Sequence, residues 1–77
     1  DDITIYPNPA REEIRIQVPQ TETKLIVSIF DCKGQEVLTS ILSKDFASIG
    51  IAQLNPGIYF IKALGEKTNY QQQLIVQ

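Results

Sequence analysis

At 77 residues the chain can form one domain at most, of a size that buries roughly 60% of its unfolded surface and holds only a small core. With 43% hydrophobic and 21% charged residues, its balance is that of a folded domain and not of a disordered segment. Seven basic and nine acidic residues leave a net charge of -2 with no cluster of Lys or Arg, so neither nucleic acid nor an anionic membrane surface is an expected partner.

The missing residue types exclude more. Without His the chain cannot assemble a Ser-His-Asp or Cys-His nucleophile, and the single Cys32 can close neither an internal disulfide nor a structural zinc site. We therefore expect no catalysis, no cofactor and no metal. Absence of Met leads us to expect a piece of a longer polypeptide, with any signal peptide outside it. Apolar runs such as Leu25-Ile26-Val27 fall far short of the roughly 18 residues of a membrane-spanning helix, so no membrane insertion is expected.

Along the chain the apolar residues recur with period two in short segments bounded by Gly, Pro, Asn or Asp, which is the pattern of strands. The first strand is expected at residues 3–6. It runs into Tyr6-Pro7-Asn8-Pro9-Ala10, where two prolines forbid helix, bias Tyr6 and Asn8 to extended backbone and stiffen the entry to the next strand. That strand, 13–18, alternates cleanly, with Ile14, Ile16 and Val18 on one face and Glu13, Arg15 and Gln17 on the other, and Pro19 ends it.

Residues 25–30 are apolar on nearly both faces, as in a central strand, with Leu25, Val27 and Ile29 expected in the core because Ser28 spoils the opposite face. Asp31-Cys32-Lys33-Gly34 reads as a tight turn, Gly34 supplying positive φ, that leads into an antiparallel strand at 35–38. A strand at 45–51 is expected to bury Phe46 and either Ile49 or Ile51. Leu54-Asn55-Pro56-Gly57 is a turn, with Pro setting φ and Gly tolerating positive φ. From it emerges the β-branched and aromatic strand 58–63, then a polar hairpin loop at 65–69. The last strand, 70–76, puts Leu74 and Val76 on one face, and Gln71-Gln72-Gln73 reads as a solvated stretch whose inward glutamine is shallow. About seven short strands at this spacing predict a single domain, 1–77, folded as an antiparallel immunoglobulin-like β-sandwich.

Few residues point to chemistry. Tyr59 stands at a strand entry just after a Pro-Gly turn, where sandwich domains place a tyrosine corner whose hydroxyl bonds backbone a few residues upstream. Asp1-Asp2, Glu12-Glu13, Asp31 and Asp45 read as solvated charge, since adjacent acids on a strand face opposite ways and no calcium-loop spacing is present. Cys32 in its turn is expected to be exposed, its thiol incidental.

Taken in order, Ile5-Tyr6-Pro7-Asn8-Pro9-Ala10, Ile14-Arg15-Ile16, Val27-Ser28-Ile29-Phe30-Asp31 with Gly34-Gln35-Glu36-Val37, Leu54-Asn55-Pro56-Gly57-Ile58-Tyr59-Phe60-Ile61 and Leu74-Ile75-Val76 resemble the type A C-terminal sorting domain of type IX secretion system cargo. The resemblance spans nearly the whole chain. It implies a folded β-sandwich at the C-terminus of a protein secreted by Bacteroidetes. Such a domain is an address read after periplasmic transit by the outer-membrane translocon, then usually removed by a sortase-like peptidase, leaving the cargo released or on the cell surface. By position it assigns partner recognition to Leu54, Pro56, Gly57, Tyr59, Leu74, Ile75 and Val76. Tyr6, Pro7, Asn8, Pro9, Asp31, Gly34 and Tyr59 become structural motif residues. The family's last strand often carries a lysine where this chain has Gln71 to Gln73; Lys62 and Lys67 are the nearest cations in sequence that could compensate.

The open edge of a sandwich can accept a partner strand, and the terminal strand or its neighbour is the expected place for it. The rival reading is an accessory fibronectin-like or carbohydrate-binding module of a secreted enzyme. Sugar modules expose aromatic platforms, whereas here Trp is absent and Tyr6, Tyr59 and Tyr70 are dispersed.

Overall fold

The computed structural model describes residues 3–7, 10–43 and 45–77, and in them the period-two segments become seven strands and no helix. These are β1 (Thr4–Tyr6), β2 (Glu13–Gln17), β3 (Leu25–Phe30), β4 (Glu36–Leu42), β5 (Phe46–Gly50), β6 (Gly57–Leu64) and β7 (Asn69–Val76). They form two antiparallel sheets, a three-stranded one ordered β1-β2-β5 and a four-stranded one ordered β4-β3-β6-β7. This is the expected immunoglobulin-like sandwich, with β4 kept beside β3 by its tight hairpin instead of crossing to join β5.

Alternation decides what the two sheets bury between them. Ile14 and Ile16 of β2 face Leu25, Val27 and Ile29 of β3, and β6 and β7 add Ile61, Ala63, Leu74 and Val76. All of them are buried, so the faces expected for β2, β3 and β7 are the ones observed. Pro19 acts as expected: β2 stops at Gln17, Val18 remains buried but its N–H bonds to the Asp45 carbonyl at 2.7 Å, and the Pro19 carbonyl accepts the Glu22 N–H at 3.0 Å.

Two expectations are corrected. Phe46 is not in the core: β5 pairs Ile49 with Ile14 and Ala47 with Ile16, so odd-numbered residues face inward and Phe46, opposite Gln17, is thrown outward with 48% of its surface exposed. Both Ile49 and Ile51 are buried in its stead. The strand after the Asp31 turn does not end at Leu38 but continues to Leu42, because Leu38, Ser40 and Leu42 keep the inward phase against Ile29, Val27 and Leu25. Thr39 and Ser40 look like a break in the sequence, yet Thr39 falls on the solvated face and Ser40 is a small, half-buried residue on the inward one.

The hairpin itself follows from Asp31 and Gly34. Gly34 has φ 85°, its N–H donates to the Asp31 carbonyl at 3.0 Å, and the Asp31 Oδ1 accepts the N–H groups of Lys33 and Gln35, each at 2.9 Å. Cys32 lies exposed in this turn. At the other end of the chain, Ala10 crosses to the edge of β7, donating to the Ile75 carbonyl at 2.8 Å and accepting from the Gln77 N–H at 2.7 Å. The Tyr6-Pro7 bond is cis; Asn8 and Pro9, two of the expected motif residues, lie outside the described residues.

Candidate functional site

The four-stranded sheet turns an unusually apolar outer face to solvent. Register sets the side chains in rows across it. Ile41, Ile26 and Leu64 stand side by side on β4, β3 and β6; Phe30 and Phe60 pair on β3 and β6; Ile58 and Ile75 pair on β6 and β7. Most of these are exposed, where an ordinary sandwich would place polar residues. Between the apolar rows runs a polar one, Thr39, Ser28, Lys62 and Gln71. A shallow concavity of about 360 Å³ lies over Phe30, Phe60, Lys62 and Gln71 beside the Asp31 turn.

The residues assigned to partner recognition divide between this face and the core. Tyr59, Leu74 and Val76 are buried and point to the other sheet, and Leu54 is half-buried against the core. Pro56, Gly57 and Ile75 are exposed at the end of the apolar face, next to Ile58 and Phe60. Gly57 has φ 154°, which lets the turn feed β6 directly. The Tyr59 hydroxyl donates to the Asn55 carbonyl at 2.7 Å, the tyrosine-corner bond, and so holds that turn against the strand it starts.

Lys62 is directly opposite Gln71, so the cation of β6 occupies the outer face beside the glutamine stretch. Lys67 lies elsewhere, in the β6–β7 turn, where its N–H meets Glu22. Of the glutamines, Gln71 and Gln73 are exposed and Gln72 is half-buried, accepting the Tyr70 hydroxyl proton.

Glu22 is a structural residue that sequence reading missed. It follows Pro19 in the β2–β3 loop, is buried, and receives three donors: the Glu66 N–H at 2.8 Å, the Lys67 N–H at 2.8 Å and the Thr68 hydroxyl at 2.6 Å. The Thr68 bond foremost, with the two backbone donors and the charge of Lys67, lowers its pKa from the ordinary 4.5 against the opposing effect of burial. A β-carbon on Gly65 would come within 2.5 Å and 2.7 Å of the two Glu22 oxygens, so glycine makes room for the carboxylate. Nothing local in Thr21-Glu22-Thr23 signals this; only the 65–69 hairpin folded over it does.

On the other sheet the rings of Tyr6 and Phe46 meet at 6.3 Å between centroids, tilted by 40°, across β2. The tilt gives no flat platform for stacking on a sugar ring.

A family model described as a secretion system C-terminal sorting domain matches residues 4–77. The chain belongs to this family. The match takes in every strand and both ends of the Ala10–β7 contact, so the sorting domain is the whole fold and not a motif within it. Membership makes it a type IX secretion sorting signal, a non-catalytic class of domain, and a module of a secreted or cell-surface protein. No curated protein matches this chain.

Proposed function

We propose that this sorting domain is a folded address that the outer-membrane translocon of the type IX system reads, after periplasmic transit in a Bacteroidetes cell, and that a sortase-like peptidase then removes from its cargo. The observation that carries this reading is the family match over nearly the full chain. Supporting it is the apolar outer face of the four-stranded sheet, a surface suited to protein contact.

Within that reading, Pro56, Gly57 and Ile75, with Ile58 and Phe60 beside them, make direct contact with the export machinery. Leu54, Tyr59, Leu74 and Val76 act from beneath by holding the turn and β7 in place. Lys62 supplies, from β6, the positive charge that the resemblance leads one to expect on the last strand. The deciding experiment is a periplasmic reporter fused to residues 1–77, expressed in a type IX host and in the same host without the translocon. Reporter outside the cell only when the translocon is present is the expected result; a folded fusion retained in the periplasm of both strains overturns the proposal.

A further inference from the structure

Each sheet has two edges, and they are unequally protected. β1 is three residues long and runs into Pro7, β5 is five residues long and closes on Gly50, a residue that weakens a strand, and the end of β7 is covered by Ala10, which bonds Ile75 and Gln77. β7, the terminal strand, is itself an edge of its sheet, and Ala10 covers only its end. β4 differs. It is seven residues long, it lies at the outside of the four-stranded sheet, and β3 is its one neighbour among the described strands.

Natural edge strands discourage pairing with Lys, Pro, inward charges or bulges. β4 contains neither Lys nor Pro, and its one charge, Glu36, sits at the extreme end, where its carboxylate accepts the Thr39 hydroxyl. The bulge against β3 falls at that same end, between the Ile29–Leu38 and Phe30–Glu36 pairs, leaving Leu38 to Leu42 in regular register. This regular stretch is uncharged and carries Ile41, which at 62% is the most exposed large hydrophobic side chain among the described residues.

We propose that β4 is a self-pairing edge, and that a second copy of this domain docks on it antiparallel about a two-fold axis through Ser40. The stretch matches itself in that register. Leu38 of each copy lies opposite Leu42 of the other on the inward side, Thr39 lies opposite Ile41 on the outward side, and the two Ile41 side chains become diagonal neighbours. Because the paired stretch is uncharged, no like charges are set opposite each other, and Glu36 falls outside it. The two four-stranded sheets join into one of eight, which makes their apolar outer faces continuous. This inference stands on the edge alone and does not depend on recognition by the translocon.

Sedimentation equilibrium of the 77-residue chain tests it, with circular dichroism on each variant to show that the fold is kept. The wild type is expected to form a concentration-dependent dimer. Ile41→Lys should weaken it by about tenfold or more, since one cross-strand pair is lost from each copy. In a Cys32→Ser background, Ser40→Cys should form a disulfide-linked dimer on mild oxidation, whereas Val37→Cys, away from the axis, should not. A wild type that stays monomeric at every soluble concentration overturns the proposal and leaves the edge to a strand of another protein. A dimer that Ile41→Lys does not weaken overturns it as well.

Discussion

The Glu22 carboxylate accepts the Thr68 hydroxyl at 2.6 Å across 46 residues of chain, tying the β2–β3 loop to the β6–β7 hairpin. Because Glu66 and Lys67 donate to the same carboxylate, one side chain satisfies three donors of a turn that would otherwise need water.

That relationship makes stability depend on pH. The folded pKa of Glu22 is depressed below 4.5, so its contribution is complete above the unfolded value and is lost as pH falls through the lower folded value. Chemical denaturation of wild type and Glu22→Gln should therefore differ most at neutral pH and converge in acid. A stability difference that is flat with pH would show that the carboxylate charge is not what the hairpin binds.

Gly65→Ala should release the same clamp without touching the acid. The added methyl would meet both carboxylate oxygens, so Glu22 must give up its donors. A lowered melting temperature is expected, together with faster amide exchange at Glu66 and Lys67, while the double variant with Glu22→Gln should be scarcely worse than either single one.

Tyr59→Phe removes one hydrogen bond, to Asn55, and leaves the ring in the core. A loss of about 0.5–1.5 kcal/mol in denaturant unfolding is expected. An unchanged midpoint would mean that the Leu54–Gly57 turn is held by other contacts.

Leu74 and Ile75 are adjacent but face opposite ways, which separates folding from recognition. Leu74→Ala should cost about 2–5 kcal/mol, a large share of the stability of so small a domain. Ile75→Ser, at a side chain 40% exposed, should stay within about 1 kcal/mol of wild type and yet reduce export of the fused reporter. Full export by a folded Ile75→Ser fusion would remove Ile75 from the contact surface.

Gly34→Ala tests the hairpin turn. A β-carbon there meets no atom within 4 Å, so the cost is conformational, from φ 85° alone, and should be about 1 kcal/mol. Asn, which tolerates this region better, should cost less.

Seven strands, the inward faces of β2, β3 and β7, the Asp31–Gly34 hairpin and the Tyr59 corner were all legible in the sequence. Each rests on alternation or on turn chemistry within a few residues. Tertiary structure decided the rest. Whether Phe46 is core or surface depends on the phase of β5 against β2, which Ile49 and Ala47 set by pairing with Ile14 and Ile16. The covering of the end of β7 by Ala10, the seating of Glu22 under Thr68 and the apolar rows across four strands are contacts between segments distant in the chain. Periodicity tells a strand which residues share a face, but only pairing with other strands determines which face is buried and which edge stays open.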